Sequence, residues 1–195
     1  MLDKVDLWPT PVYGGVVNSI TDFELQSSLN FIFNLVGNYN GAKKSNVGGW
    51  QSDPCNVGDY PIIDEIFTKI SPYIDQISKD FNVELFVANY WINVNFKGSF
   101  NIDHTHPSSA FAGVFYLRNS TGQGDLVLNK PNSFFERHIV HSESISQYYD
   151  DYVAPFSIKP QPKHLIFFPG FIPHLVTTNE TDEPRVSIAF NLKVK

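Results

Sequence analysis

Two histidines, His104 and His106, lie two positions apart in FNIDHTHPSS, at the end of a run rich in aromatic and β-branched residues. Alternate residues of a strand point to one face, so both imidazoles enter one space if the strand continues through them. Imidazole nitrogen is the commonest metal ligand in proteins, and a close pair supplies half of a typical site. The pair alone leaves two interpretations open: a metal site, or exposed histidines at a strand end.

The C-terminal segment FFPGFIPHLVTTNETDEPRVSIAFN favours the metal interpretation. His174 follows a proline and opens a strand-like run, and after a turn Arg185 begins another strand. Arg185, Ser187, Ala189 and Asn191 share the less hydrophobic face of that strand. If the face lines a barrel interior, the buried guanidinium requires an anion. Its fork matches a carboxylate, and Ser187 can donate to the same group.

The first part of the chain predicts two helices that support this site. Thr21 is a plausible cap with Glu24 three residues later, and apolar residues follow at helical spacing to about residue 36. A second helical pattern covers residues 61–81, where Pro72 is expected to kink the helix or divide it. The segment between them, GAKKSNVGGWQSDPCNVGDYP, has the composition of a loop.

From residue 84 the period of the pattern changes from 3.6 to 2. In ELFVANYWINVNF the polar face carries Asn93 and Asn95, and Asn95 is a candidate to reach a ligand or a water. Further short strands follow to the C-terminus, while residues 130–153, with His138 and His141, read as an irregular loop. Two helices and then about eight strands predict an α+β, mainly β fold, an antiparallel barrel or jelly roll.

Composition narrows the class of protein. The net charge is −6 with no cluster of Lys and Arg, which disfavours nucleic acid as a partner. A single cysteine, Cys55, excludes an internal disulfide and fits a reducing compartment. No apolar run approaches the ~20 residues that span a bilayer, and no signal peptide is read at the N-terminus. The sequence therefore predicts a soluble, cytoplasmic protein.

These motifs together resemble the Fe(II)- and 2-oxoglutarate-dependent oxygenases. The order is HxH, about seventy residues, His174, then Arg-x-Ser eleven residues later, and Gly98 precedes His104 by six, as in prolyl-4-hydroxylase-like members. A narrower resemblance is to bacterial and phage oxygenases of this kind. It covers nearly the whole chain and is carried by the segments WPTPV (8–12), GGWQS (48–52), HTHP (104–107), AGVFYL (112–117) and RVSIAFN (185–191).

The resemblance implies a double-stranded β-helix, a distorted jelly roll, with the N-terminal helices packed on it. It implies one domain over residues 1–195, with a strand and helical support in 1–83 and the jelly-roll core in 84–195.

The resemblance also implies a set of site residues. His104 and His174 would be iron ligands, and Arg185 with Ser187 would bind the C5 carboxylate of 2-oxoglutarate, with Asn95 near the same co-substrate. The broad superfamily places Asp or Glu two residues after the first histidine, whereas this chain has His106. His106 is the preferred third ligand. The alternatives are Asp103, which faces away on an undistorted strand, or an open position.

The implied function is hydroxylation of a C–H bond in a peptidyl or small-molecule substrate, using Fe(II), 2-oxoglutarate and O2 and releasing succinate and CO2. Two other classes stay open. A cupin-type dioxygenase with three-histidine iron and no 2-oxoglutarate would explain His106 but leaves Arg185 without a ligand. A non-catalytic jelly-roll module that binds a carbohydrate or a protein would need no metal.

Overall fold

The computed structural model describes residues 10–131 and 154–195, which form two helices and eleven strands. The helices are α1 (Asp22–Asn38) and α2 (Pro61–Phe81). The strands are β1 (Tyr13–Val16), β2 (Asn46–Val47), β3 (Trp50–Gln51), β4 (Leu85–Asn95), β5 (Phe100–His104), β6 (Phe111–Arg118), β7 (Leu126–Leu128), β8 (Phe156–Ile158), β9 (His164–Pro169), β10 (His174–Val176) and β11 (Arg185–Val194). Eight of these strands follow α2, as the sequence predicts. His138 and His141 lie outside the described residues.

The strands form two antiparallel sheets. The major sheet has the order β1-β9-β6-β11-β4-β3, and the minor sheet has the order β2-β5-β10-β7-β8. One apolar cluster joins both helices to the outer face of the major sheet, where Tyr90, Ile92 and Ile188 are fully buried. A second, smaller cluster belongs to strands of both sheets and includes Val114, Leu126 and Phe168. The α+β, mainly β class predicted from the sequence is therefore confirmed.

The period-two pattern of β4 is reproduced in the structure. Tyr90, Ile92 and Val94 pack in the cluster that holds the helices, and Asn93 and Trp91 face the other way. β4 pairs with β11 over ten residue pairs, with Asn93 opposite Ser187. The polar faces of the two predicted strands are thus joined side by side, and they form one wall of the space between the sheets.

Helix α1 begins with the capping box predicted from its sequence. The Thr21 hydroxyl accepts the Glu24 backbone N–H at 3.2 Å, and the Glu24 carboxylate accepts the Thr21 backbone N–H at 2.7 Å. Two donors that a helix start leaves unpaired are satisfied in this way.

Pro72 is expected from the sequence to kink α2 or divide it, and the division is wrong because α2 runs through Pro72 as one helix. Proline at position 72 cannot donate to the carbonyl of Thr68, four residues earlier. The Ser71 hydroxyl donates to that carbonyl at 3.0 Å instead. The carbonyl that proline leaves free is therefore still hydrogen-bonded, and the apolar face of the helix holds it on the sheet.

The segment predicted as a loop contains two short strands. β2 pairs with β5 at the edge of the minor sheet, and β3 pairs with β4 at the edge of the major sheet. In β3, the Trp50 indole donates to the carbonyl of Tyr39 at 2.8 Å, which ties the segment to the end of α1. This connection spans the two sheets at one side of the space between them. No helix in the described parts of the chain combines the length and apolarity needed to cross a membrane.

Candidate active site

Three histidines meet at the end of the space between the sheets. β5 ends at His104, and His174 at the start of β10 is paired directly opposite it. His106 lies two residues beyond the end of β5, so it shares the space with His104 without the continuing strand that would place both on one face. Instead its backbone N–H donates to the carbonyl of Gly170 at 2.8 Å, which fixes the loop beside β9. One ring nitrogen from each histidine lies within 4.8 Å of the others, and the Nε2 atoms of His106 and His174 are 3.1 Å apart.

The two strand histidines are held in the tautomer that metal binding requires. Nδ1 of His104 donates to the carbonyl of Ile102 at 2.7 Å, and Nδ1 of His174 donates to that of Ile172 at 2.9 Å. A carbonyl can only accept, so in each neutral ring the proton is on Nδ1 and the lone pair is on Nε2. Such outer hydrogen bonds orient the ligands of metal sites. The lone pairs of both rings are therefore available to one cation.

The electrostatics of the cluster keep the His106 and His174 imidazoles neutral. Burial, with a further contribution from the neighbouring His104, lowers the pKa of His174 to about 3. The same two causes lower the pKa of His106 to about 4, against an opposing hydrogen-bond contribution from Asn191. Burial disfavours the protonated form of these two rings, and neutral imidazole nitrogens suit a divalent transition metal. The residues present therefore fit an iron ion.

Aromatic side chains fix two of the rings. Trp91 stacks on His106 with ring centroids 5.5 Å apart and planes 23° apart. The rings of Phe168 and His174 pack edge to face, with their centroids 4.6 Å apart. Side chains locked by packing preserve ligand geometry when no metal is bound. The cluster is therefore preorganised by β4 and β9 as well as by the loop after β5.

Asp103 is separated from the histidines. Its side chain is exposed and accepts a hydrogen bond from the Asn129 amide at 2.8 Å. Within residues 10–131 and 154–195, the cluster of potential metal ligands contains imidazoles and no carboxylate. The geometry thus favours His106 over Asp103 in the third ligand position. His164 opens β9 and is not part of the cluster.

A buried arginine lines the same cavity as the histidines. Arg185, the first residue of β11, is 2% exposed. Its Nη1 donates to the carbonyl of Gln123 at 3.3 Å, and its Nη2 donates to Oδ1 of Asn101 at 3.4 Å. Both acceptors are neutral and both bonds are long, and no carboxylate in the described ranges forms an ion pair with this guanidinium.

Burial lowers the pKa of Arg185, and the nearby Tyr116 opposes that shift. A guanidinium nevertheless stays charged in proteins. An unpaired buried charge costs free energy until an anion meets it, which makes this side of the cavity an anion site. Ser187, two residues along β11, also lines the cavity. Burial raises the pKa of Tyr116 itself to about 12, so its phenol is neutral.

Asn101 is a cavity residue that the sequence pattern did not identify. On a regular strand Asn101 and His104, three positions apart, would point to opposite faces. A β-bulge between β5 and β10 changes this, because His104 pairs with His174 while Asn101 pairs with Val176. Both side chains therefore line the cavity. A bulge next to a strand-end histidine has no simple sequence signature.

Asn95, predicted near the co-substrate, is one step removed from the cavity. It is 1% exposed, and its Nδ2 donates to Oδ1 of Asn101 at 3.1 Å. Asn101 in turn contacts Arg185. Asn95 therefore reaches the anion site through Asn101.

The cavity itself has a volume of about 50 Å³ and is open at one side. Apolar side chains, among them Val114, Leu126 and Phe168, line the same cavity.

Three imidazoles share one cavity between two antiparallel sheets with a guanidinium that has no carboxylate partner among the described residues, an arrangement typical of a jelly-roll metalloenzyme that binds an acidic ligand. The family model described as "Putative 2OG-Fe(II) oxygenase" matches residues 89–191, more than half of the chain. The chain belongs to this family, and it is an Fe(II)- and 2-oxoglutarate-dependent oxygenase. No curated protein matches the sequence.

Solved structures support the fold. A prolyl-4-hydroxylase from Pseudomonas putida is 12% identical with a TM-score of 0.68, over 95% of this chain and 94% of that one. The α-ketoglutarate-dependent epimerase SnoN from nogalamycin biosynthesis is 11% identical with a TM-score of 0.70, over 94% of this chain and 77% of that one. HygX from Streptomyces hygroscopicus, solved with nickel and 2-oxoglutarate, is 10% identical with a TM-score of 0.66, over 94% and 83%. The predicted double-stranded β-helix is confirmed.

Proposed function

We propose that the protein hydroxylates a C–H bond of a peptide or small molecule, with His104, His106 and His174 holding Fe(II). Arg185 and Ser187 would bind the C5 carboxylate of 2-oxoglutarate. The observation that carries this proposal is the buried guanidinium, which has no carboxylate partner in residues 10–131 and 154–195 and lies in the same cavity as the three imidazoles. A metalloenzyme that used no acidic co-substrate would have no use for that charge.

The overall reaction converts the C–H bond, O2 and 2-oxoglutarate into the alcohol, succinate and CO2. Bound iron supplies the oxidising chemistry, and the protein supplies binding and orientation. Arg185 would fix the far end of 2-oxoglutarate through its bidentate fork and so orient the keto acid end toward the histidines. Val114, Leu126 and Phe168 would exclude water from the same space.

A third histidine distinguishes this site from the two-histidine, one-carboxylate arrangement typical of non-heme iron. With His106 in place of a carboxylate, the protein ligands carry no negative charge. The site is then one unit more positive, and an anionic keto acid has more of the metal's charge to neutralise. We therefore propose that iron and 2-oxoglutarate bind with strong mutual dependence in this protein.

The substrate class, the domain organisation and the cellular location are also part of the proposal. Structural relatives in the fold include one named for prolyl hydroxylation and one solved with hygromycin B, so both peptide and small-molecule substrates are represented among them. We propose a substrate of one of these classes rather than a nucleic acid, given the net charge of −6. We further propose that residues 1–195 act as one domain and that the protein works in the reducing cytoplasm.

The proposal is tested by co-substrate turnover. Purified protein, loaded anaerobically with Fe(II), is mixed with 2-oxoglutarate and air, and succinate is quantified. Peptide and metabolite libraries are then screened for compounds that stimulate succinate release. Succinate that requires Fe(II), O2 and 2-oxoglutarate together supports the function. Oxygen uptake with iron but without 2-oxoglutarate would instead support the cupin-type reaction, and no metal binding would support the non-catalytic module.

Gly124→Ala is expected to weaken 2-oxoglutarate binding. Gly124 has φ +98°, and an added Cβ would meet the backbone oxygen of Thr177 and lie 2.7 Å from Nη1 of Arg185. The backbone strain costs about 1–3 kcal/mol, and the contact displaces the guanidinium. We expect a lower urea midpoint together with a weaker affinity for 2-oxoglutarate, measured by calorimetry on Mn(II)-loaded protein.

Gly122→Ala is the matched control. Gly122 is in the same turn with φ +85°, but its Cβ would contact the Thr181 methyl at 3.2 Å and not Arg185. It should lower stability through the strain of its positive φ, by less than Gly124→Ala, and leave 2-oxoglutarate affinity unchanged. Equal losses of affinity in the two variants would show that general strain, and not displacement of Arg185, is responsible.

A further inference from the structure

Asn101 is the residue that places the buried guanidinium. Its Oδ1 accepts from Nδ2 of Asn95 at 3.1 Å and from Nη2 of Arg185 at 3.4 Å, and its Nδ2 donates to Oγ of Ser45 at 3.2 Å. An arginine can only donate, so the amide oxygen must face Arg185. Asn101 is 7% exposed, and its orientation is thus fixed by partners on both sides.

Because this acceptor is an amide, it adds no charge to the cavity. An amide oxygen orients the guanidinium but does not neutralise it. A carboxylate at the same place would form a buried ion pair with Arg185 and would compete with any ligand carboxylate. Ser187 and Tyr116, which line the same cavity, are also neutral. No described residue therefore neutralises Arg185, and its charge is left for an incoming anion.

Asn101 also connects Arg185 to the strand that carries a proposed metal ligand. It lies on β5 three residues before His104, and the bulge turns both side chains into the cavity. The strand that carries a proposed metal ligand thus also carries the acceptor that holds Arg185. Through Ser45, Asn101 is tied to the segment just before β2 as well.

We propose that Asn101 is a positioning residue that sets the affinity and the charge selectivity of the co-substrate site. It holds Arg185 in place while leaving its charge uncompensated, and this inference rests on the proposed binding of 2-oxoglutarate at Arg185. The selected ligand class is a 2-oxo acid with a second carboxylate. A 2-oxo acid of the same length without that carboxylate gains nothing from Arg185.

The test is Asn101→Asp, which keeps the side-chain shape and adds a charge beside Arg185. Binding of 2-oxoglutarate and of 2-oxopentanoate, its analogue without the far carboxylate, is measured by calorimetry on Mn(II)-loaded protein. We expect the affinity for 2-oxoglutarate to fall by at least about tenfold, while the affinity for 2-oxopentanoate stays unchanged. In the metal-free protein the urea midpoint should rise, because Arg185 gains a partner. A merely structural role would not give a more stable protein that binds one ligand less well.

Two further variants serve as a charge control and as a second test of Asn101. Asn30→Asp adds the same charge on the exposed surface of α1 and should change neither affinity. Asn101→Ala removes the acceptor, and it serves if the aspartate variant does not fold: 2-oxoglutarate affinity should fall while Mn(II) affinity stays unchanged. Unchanged 2-oxoglutarate affinity in both Asn101 variants, with normal binding by the wild type, would overturn this inference alone. Failure of the wild type to bind 2-oxoglutarate would overturn the proposed function with it.

Discussion

The substitution His174→Ala is expected to abolish the binding of one divalent metal ion at the three-histidine cluster. His174 contributes the most buried ring of the cluster, 4% exposed, and its Nε2 lies 3.1 Å from that of His106. Loss of an outer hydrogen-bond partner of a metal ligand typically costs about 10- to 100-fold in affinity, and loss of a ligand itself should cost more. Calorimetric titration of the anaerobic protein with Fe(II) or Mn(II) measures the loss of metal affinity.

The matched control is His164→Ala, which removes a histidine from β9 outside the cluster. Its metal affinity should equal that of the wild type. Circular dichroism and the urea midpoint of both variants show whether the fold is retained, since His174 also packs on Phe168. A folded His174→Ala protein that still binds one metal ion with wild-type affinity would exclude His174 as a ligand.

Arg185→Met is expected to remove 2-oxoglutarate binding while making the metal-free protein more stable. Truncating one partner of a buried charge pair costs about 2–5 kcal/mol, or about 30- to 5000-fold in affinity. The methionine also removes an unpaired buried charge, so the free energy of unfolding should rise by about 1 kcal/mol or more. Calorimetry with the Mn(II)-loaded protein and urea unfolding of the metal-free protein measure the two effects.

Two other variants separate charge from geometry at this position. Arg185→Lys keeps the charge without the planar fork and should bind 2-oxoglutarate with intermediate affinity. Arg118→Met removes a partly exposed arginine whose Nη1 is 3.3 Å from Glu183, and it should leave 2-oxoglutarate binding intact. Equal 2-oxoglutarate affinity in Arg185→Met and wild type would place the co-substrate elsewhere.

The regular parts of the fold were predictable because each carries a repeated local signal. The alternation along β4 and β11 identified which side chains face the cavity, and Arg185 and Ser187 do so. The capping box at Thr21 located the start of α1. These signals depend on period, burial and local hydrogen bonding, which a sequence displays directly.

The irregular parts were not predictable in the same way. Strands β2 and β3 are two residues long, too short for a periodic pattern, and they exist because neighbouring strands offer pairing partners. The bulge that turns Asn101 into the cavity depends on pairing with β10, more than seventy residues away. His106 reaches the cluster through a backbone bond to Gly170 and not through a strand. Each of these features is tertiary, and no local pattern specifies it.

The decisive measurement is an anaerobic crystal structure with Mn(II) and N-oxalylglycine, an inert analogue of 2-oxoglutarate. We expect one metal ion bound by Nε2 of His104, His106 and His174, chelated by the analogue, with the far carboxylate on the fork of Arg185. A metal ion held by other residues, or an analogue that leaves Arg185 without an anion, would contradict the assignment of this cavity as the active site.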